Sequence, residues 1–155
     1  MTSTTEFDLQ SVHKHLSAYC FNAAWDLIEK PNRSPQEDEE MINLSHTSLW
    51  HWTQREDYDA EKASTAYWQL ARIYTLLEQT ENARRYAHLC LQVSQEQGVS
   101  PFYLGYAYEA LARVESVAGN KQNVDAYLQK ATDIAKKIVD DQAKIYLLDD
   151  LKTIK

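Results

Sequence analysis

Residues 67–90 read "YWQLARIYTLLEQTENARRYAHLC", and residues 108–131 read "YEALARVESVAGNKQNVDAYLQKA". The second stretch follows the first at an offset of 41 residues, from Tyr67 to Tyr108. Tyr67, Leu70 and Ala71 align with Tyr108, Leu111 and Ala112, and Ala83, Ala87 and Cys90 align with Val124, Leu128 and Ala131. A large-large-small group precedes a turn, and a group of smaller residues at helical spacing follows it. Apolar residues three and four apart share one face of an α-helix, so each stretch reads as two helices joined by a short turn.

The punctuation outside these stretches extends the helical reading to the whole chain. Pro31, Pro35, Pro101, Gly98 and Gly119 all fall where a helical pattern stops or starts, and only Gly105 falls inside one. Proline and glycine weaken helix interiors, so this confinement argues for an all-helical fold. The pattern predicts seven helices, over about 6–29, 35–54, 60–78, 81–97, 101–118, 121–139 and 141–152. Ser3 and Glu6 have the spacing of a capping box at the first helix. "SPQE" gives the second a clearer one: Ser34 caps, Pro35 occupies the first turn and Glu37 reaches back. Ser100 and Pro101 repeat the cap and first turn at the fifth helix. Short connections favour antiparallel neighbours. No segment shows the alternation of a strand.

The paired blocks resemble the tetratricopeptide repeat, over residues 65–139. The resemblance implies an all-α array in which antiparallel hairpins stack, small side chains opposite large ones. It divides a single helical domain, 1–155, into a divergent first hairpin at 1–58, two tetratricopeptide-like hairpins at 59–139 and a capping helix at 140–155. Tyr146, Leu147, Leu151 and Ile154 are the expected buried face of that last helix, which covers the end of the stack. Three features depart from the family pattern. Glu115 stands opposite Tyr74, Gln95 and Lys136 replace the closing proline, and the repeat exceeds the usual length of about 34 residues.

Composition narrows the functions. The chain has 155 residues, 44% of them apolar, and a net charge of −7. Basic residues cluster only in pairs, as in "ARRY" and "AKKI", so nucleic acid and anionic membrane are not expected partners. No apolar run approaches the roughly 18 residues of a membrane span. "MTSTTEFDLQ" has no basic region followed by an apolar one, so no signal peptide is expected. Cys20 and Cys90 have no C-x-x-C spacing and read as reduced, buried thiols of a cytoplasmic protein.

Chemistry is hard to find. "HTSLWHW", residues 46–52, suggests a metal or small-molecule site. His46 and His51, however, lie five residues apart, about 140° around a helix, and cannot share one ion from a regular helix. No histidine has His, Asp, Glu or Cys three or four residues away. An interhelical pocket joining His46, His51 and His88 is the alternative reading, with any metal undetermined. No G-x-S-x-G elbow is present, Cys90 sits at a close-packing position, and no two glycines lie within six residues as a phosphate-cradling loop needs. "EDEE", residues 37–40, reads as first-turn charge matched to the helix dipole. No catalytic residue and no cofactor is assigned.

The resemblance points instead to a groove. In tetratricopeptide arrays the first helix of each hairpin lines the concave face, which implies Thr65, Trp68, Arg72 and Thr75 from one block and Tyr106, Glu109, Arg113 and Ser116 from the next. Within this set Trp68, Arg72, Tyr106, Glu109 and Arg113 are the expected partner-binding residues. The recurring arginines suit an acidic protein or peptide, and the aromatic rings anchor it. Self-association through exposed aromatic faces is a further expectation.

Overall fold

A computed structural model describes residues 7–155, which form an all-helical array without strands. The helices are α1 (Leu9–Glu29), α2 (Pro35–Thr53), α3 (Ala60–Leu76), α4 (Thr80–Ser94), α5 (Pro101–Val117), α6 (Lys121–Ala135) and α7 (Asp141–Lys152). The expected capping box of Ser3 and Glu6 lies outside the described residues.

Local chemistry sets the boundaries. Asp8 caps α1 by accepting from the Ser11 amide at 3.3 Å. Arg33 closes its other end, donating to the carbonyls of Leu27 and Lys30 at 3.2 Å each. The Leu27 carbonyl also accepts from the Lys30 amide, and the guanidinium adds hydrogen bonds to carbonyls of the last turn that lack i+4 partners. The capping box at α2 is present: Ser34 Oγ accepts from the Glu37 amide, and Glu37 accepts from the Ser34 amide. At α5 the Ser100 side chain makes no cap bond; its amide donates instead to Glu61 Oε1 at 3.3 Å. Helix α6 stops at Ala135, earlier than the sequence suggests, and Val139 beyond it is 96% exposed. Glu78 and Gly119, which are 41 residues apart, both turn with positive φ, 58° and 77°.

Consecutive helices pack as antiparallel pairs, α1 on α2, α3 on α4 and α5 on α6, and each pair packs on the next. Gln10 on α1 reaches the carbonyl of Gln54 just past α2. Ser64 near the start of α3 bonds Ser94 at the end of α4, at 2.8 Å. The main core uses the aligned positions: Leu70 and Ala71 on α3, Ala83 and Ala87 on α4, and Leu111 on α5 are at most 1% exposed. Fully buried alanines let helix axes approach, and neighbouring tyrosines fill the rest. Tyr74 stacks on Tyr86 with centroids 5.7 Å apart and planes 8° apart.

Buried polar groups tie the hairpins together. Gln69 accepts from Ser45 Oγ on α2 at 2.8 Å and donates to the Phe21 carbonyl on α1 at 2.9 Å. Glu115, at the position aligned with Tyr74, accepts from Arg84 on α4 at 2.6 Å and from Asn120 at 3.0 Å. An ion pair thus joins α4 to α5 where the other block uses stacked rings.

Helix α7 packs on α5 and α6. Leu147 and Leu151 form its buried face with Ala131, Ala135 and Ile138, and Ile154 packs against them. Tyr146 departs from the expectation, being 59% exposed. One residue turns the side chain by about 100°, so Tyr146 leaves the face Leu147 buries. Gly105 explains its place inside a helix: a Cβ there would lie 2.5 Å from Leu147 Cδ2.

Candidate binding groove

The odd-numbered helices run parallel and present one side to a common groove. Equivalent levels meet: Trp25 with Trp68, Trp68 with Tyr106, and Tyr106 with Asp150. Thr65, Trp68, Arg72, Thr75, Tyr106, Arg113 and Ser116 all line cavities here, and Glu109 lies between them as a buried floor.

One cavity, of about 550 Å³, is mainly aromatic. Helix α1 supplies Trp25, α3 supplies Trp68 with Ser64 and Thr65, α5 supplies Phe102, Tyr103 and Tyr106, and α7 supplies Tyr146 and Asp150. Trp25 and Trp68 are inclined at 33°, and the other ring pairs meet at steep angles. Trp68 and Tyr106 are inclined at 81°, Phe102 and Tyr106 at 60°, and Phe102 and Tyr103 at 89°. They make walls around a volume in place of one flat platform. A second cavity of about 380 Å³ lies further along, lined by Arg72, Thr75, Arg113, Ser116 and the residues Thr153, Ile154 and Lys155.

A charged cluster separates the two. Glu109 is 1% exposed, and its carboxylate accepts from Trp68 Nε1 at 2.8 Å, from Arg72 at 3.4 Å and from Arg113 Nε. Arg113 also donates to the Asp150 carbonyl at 3.0 Å and to Thr153 Oγ1 at 2.7 Å. Both arginines therefore spend charge on an internal carboxylate, so the groove does not offer an acidic ligand two free guanidinium groups. Burial, then repulsion from Arg113, pulls the Arg72 guanidinium below its ordinary range, with Glu109 and Asp150 opposing. Among the described residues Arg72 Nε is buried without a hydrogen-bond partner. The Tyr106 hydroxyl donates to Asp150 at 2.6 Å; burial and that bond push its pKa strongly upward, so it stays a donor.

The histidines occupy separate surroundings. His46 Nε2 lies 2.9 Å from the Tyr74 hydroxyl, with the Tyr86 ring edge-on. His51 Nδ1 lies 2.8 Å from His13 Nδ1, beside Trp50. His88 is exposed. Burial lowers the pKa of both His46 and His51, reinforced by Arg85 and His13 respectively. Among the described residues, no group of three or more His, Cys, Asp or Glu side chains is arranged to hold a metal ion. No described helix is long and apolar enough to cross a membrane.

Sequence reasoning missed Trp25, Phe102, Tyr103 and Asp150. Phe102 and Tyr103 sit one turn before Tyr106, a signal that helical spacing carries. A further step of 41 residues leads from Trp68 through Glu109 to Asp150, so α7 continues the register of α3 and α5. Trp25 has no such signal, because it meets Trp68 at an offset of 43. Comparison with family models, with curated proteins and with solved structures finds no match.

Proposed function

We propose that this chain is a tetratricopeptide-like, non-catalytic interaction module that binds a protein or peptide segment in the groove of α1, α3, α5 and α7. The observation that carries this reading is the ring-walled cavity of about 550 Å³, to which all four odd-numbered helices contribute. Ligand sites are typically concave, mostly apolar and roughly 300–1,000 Å³ in volume. Tyrosine and tryptophan supply large contact area at small entropic cost. The buried, unpaired thiols of Cys20 and Cys90 accord with a reducing cytoplasm. Exposed Tyr19 and Trp50, away from the groove, offer a surface for self-association.

Affinity capture with the wild-type chain and with a Tyr103→Ser, Tyr146→Ser variant tests the groove. Both rings are partly solvated, so the variant keeps its fold. Partners held by the wild type are lost from the variant while its thermal midpoint stays within about 3 °C, an allowance of roughly 1 kcal/mol. Equal recovery would remove the groove from the interaction.

A further inference from the structure

We propose that the ring-walled cavity takes a methylated lysine side chain on a partner peptide, bound as a quaternary or near-quaternary ammonium. This rests on the groove being a peptide site and names what enters it. Three observations converge. The first is shape: Trp68, Tyr106, Phe102 and Tyr103 meet at 60–89° in successive pairs, which encloses a roughly tetrahedral group better than a planar one. Ring faces carry negative quadrupole density, and a cation held among several of them is attracted to each.

The second is charge. Asp150 is the one charged side chain lining the cavity. Among the described residues its carboxylate accepts from Tyr106 and stands in no ion pair. The nearest guanidinium groups, Arg72 and Arg113, pair with Glu109 beneath the cavity, and Arg113 reaches the backbone carbonyl of Asp150 rather than its carboxylate. The chain as a whole carries −7, which favours encounter with a basic segment.

The third is the makeup of the lining, and it selects methylated over plain lysine: Trp25, Trp68, Phe102, Tyr103, Tyr106 and Tyr146 are six of its nine residues, and its polar groups are engaged as donors. Ser64 Oγ is bonded to Ser94, Thr65 Oγ1 donates to the Glu61 carbonyl, Trp68 Nε1 donates to Glu109, and the Tyr106 hydroxyl donates to Asp150. A primary ammonium brings three N–H donors and needs an acceptor for each when it leaves water. Asp150 and the hydroxyl oxygens can accept, but most of the wall is ring face, which replaces little of the strong hydration of a compact ammonium. A quaternary ammonium keeps the charge, brings no donor and turns methyl groups to the rings, so it leaves water at a smaller cost.

The test uses the full chain and capped Gly-Gly-Xaa-Gly-Gly peptides, with Xaa as trimethyllysine, its neutral carbon isostere or unmodified lysine, and tetramethylammonium as the free ion. Shifts of the Trp25 and Trp68 indole N–H signals report occupancy. The trimethyllysine peptide binds at least about tenfold more tightly than the isostere and the plain lysine peptide, and more tightly than the free ion. Asp150→Asn, which keeps an acceptor for Tyr106, weakens the trimethyllysine peptide and leaves the neutral isostere unchanged. Equal binding of the isostere overturns the cationic assignment and leaves the groove a peptide site. Equal binding of tetramethylammonium overturns the peptide as its source. If no probe moves the indole signals, the inference falls, and partner capture with the Tyr103→Ser, Tyr146→Ser variant then decides separately whether the groove binds peptides at all.

Discussion

Changing Glu109 to Gln removes one charge and almost no volume. Glu109 is 1% exposed and holds Trp68, Arg72 and Arg113 together. Glutamine can still accept from Trp68, but it leaves two guanidinium groups facing each other without their shared counter-charge. Breaking a buried ion pair from one side costs about 3–5 kcal/mol. Arg72 and Arg113 retain 26% and 14% of their side-chain exposure, so water screens part of the loss and the lower end, about 3 kcal/mol, applies. A chain of this size loses about 2–4 °C per kcal/mol, which gives a fall of about 6–12 °C in Tm. Thermal and urea unfolding of the wild type, Glu109→Gln, Arg72→Gln and the double variant provide the measurement. Adding Arg72→Gln to Glu109→Gln recovers part of the loss, with a coupling of about 1–2 kcal/mol. A Tm within about 2 °C of wild type for Glu109→Gln would refute the buried-counter-charge reasoning.

Other perturbations follow from the same structure. His46 and His51 have folded pKa values below the ordinary value of 6.5, so the unfolded chain binds more protons. Their contribution is complete above about pH 6.5 and is lost as pH falls through the lowered folded values; urea midpoints at pH 7.5 and pH 5.5 show the drop, and His51→Asn reduces it. Glu78→Gly relieves a left-handed backbone that Gly119 already adopts at the matching turn, raising stability by up to about 1 kcal/mol in denaturant unfolding. Gly105→Val forces Leu147 out of its rotamer, and overpacking of about 1–3 kcal/mol loosens α7, read as faster amide exchange at Leu147–Leu151. Burial pushes the Cys90 thiol up to about 11, so a thiol reagent at pH 8 modifies it only at the rate of unfolding, which denaturant accelerates.

The helices were legible because their limits are written in single residues. Ser34, Pro35 and Glu37 fix the start of α2, and Gly98 and Pro101 bracket the turn into α5. The aligned residues from Leu70 to Ala131 placed the core for the same reason, since burial at helical spacing is a property of one chain segment. The groove depends on what faces what. Arg72 and Arg113 share a face with Trp68 and Tyr106, but their electrostatic meaning turns on Glu109, which sits between helices and takes up their charge. An i,i+4 reading of Glu109 and Arg113 catches one of those bonds and misses Trp68 and Arg72. The histidine cluster of "HTSLWHW" shows the reverse. Neighbours in sequence diverge around the helix, and His51 finds its partner in His13 on another helix.

Helix α1 meets the stack chiefly through α2; toward α3 it has the Phe21 carbonyl bond from Gln69, the contact of Trp25 with Trp68, and a small apolar cluster in which Ala24 joins Met41 and Ile73. The α1 wall of the aromatic chamber is therefore held to α3 by one amide, one pair of rings and that small cluster, against the larger core that joins α3 to α4 and α5. Because the first hairpin packs on α3 less extensively than α3 packs on α4, thermal agitation is expected to loosen that wall before the alanine-lined seam, and an occupant that touches Trp25 and Trp68 together would stiffen the first hairpin.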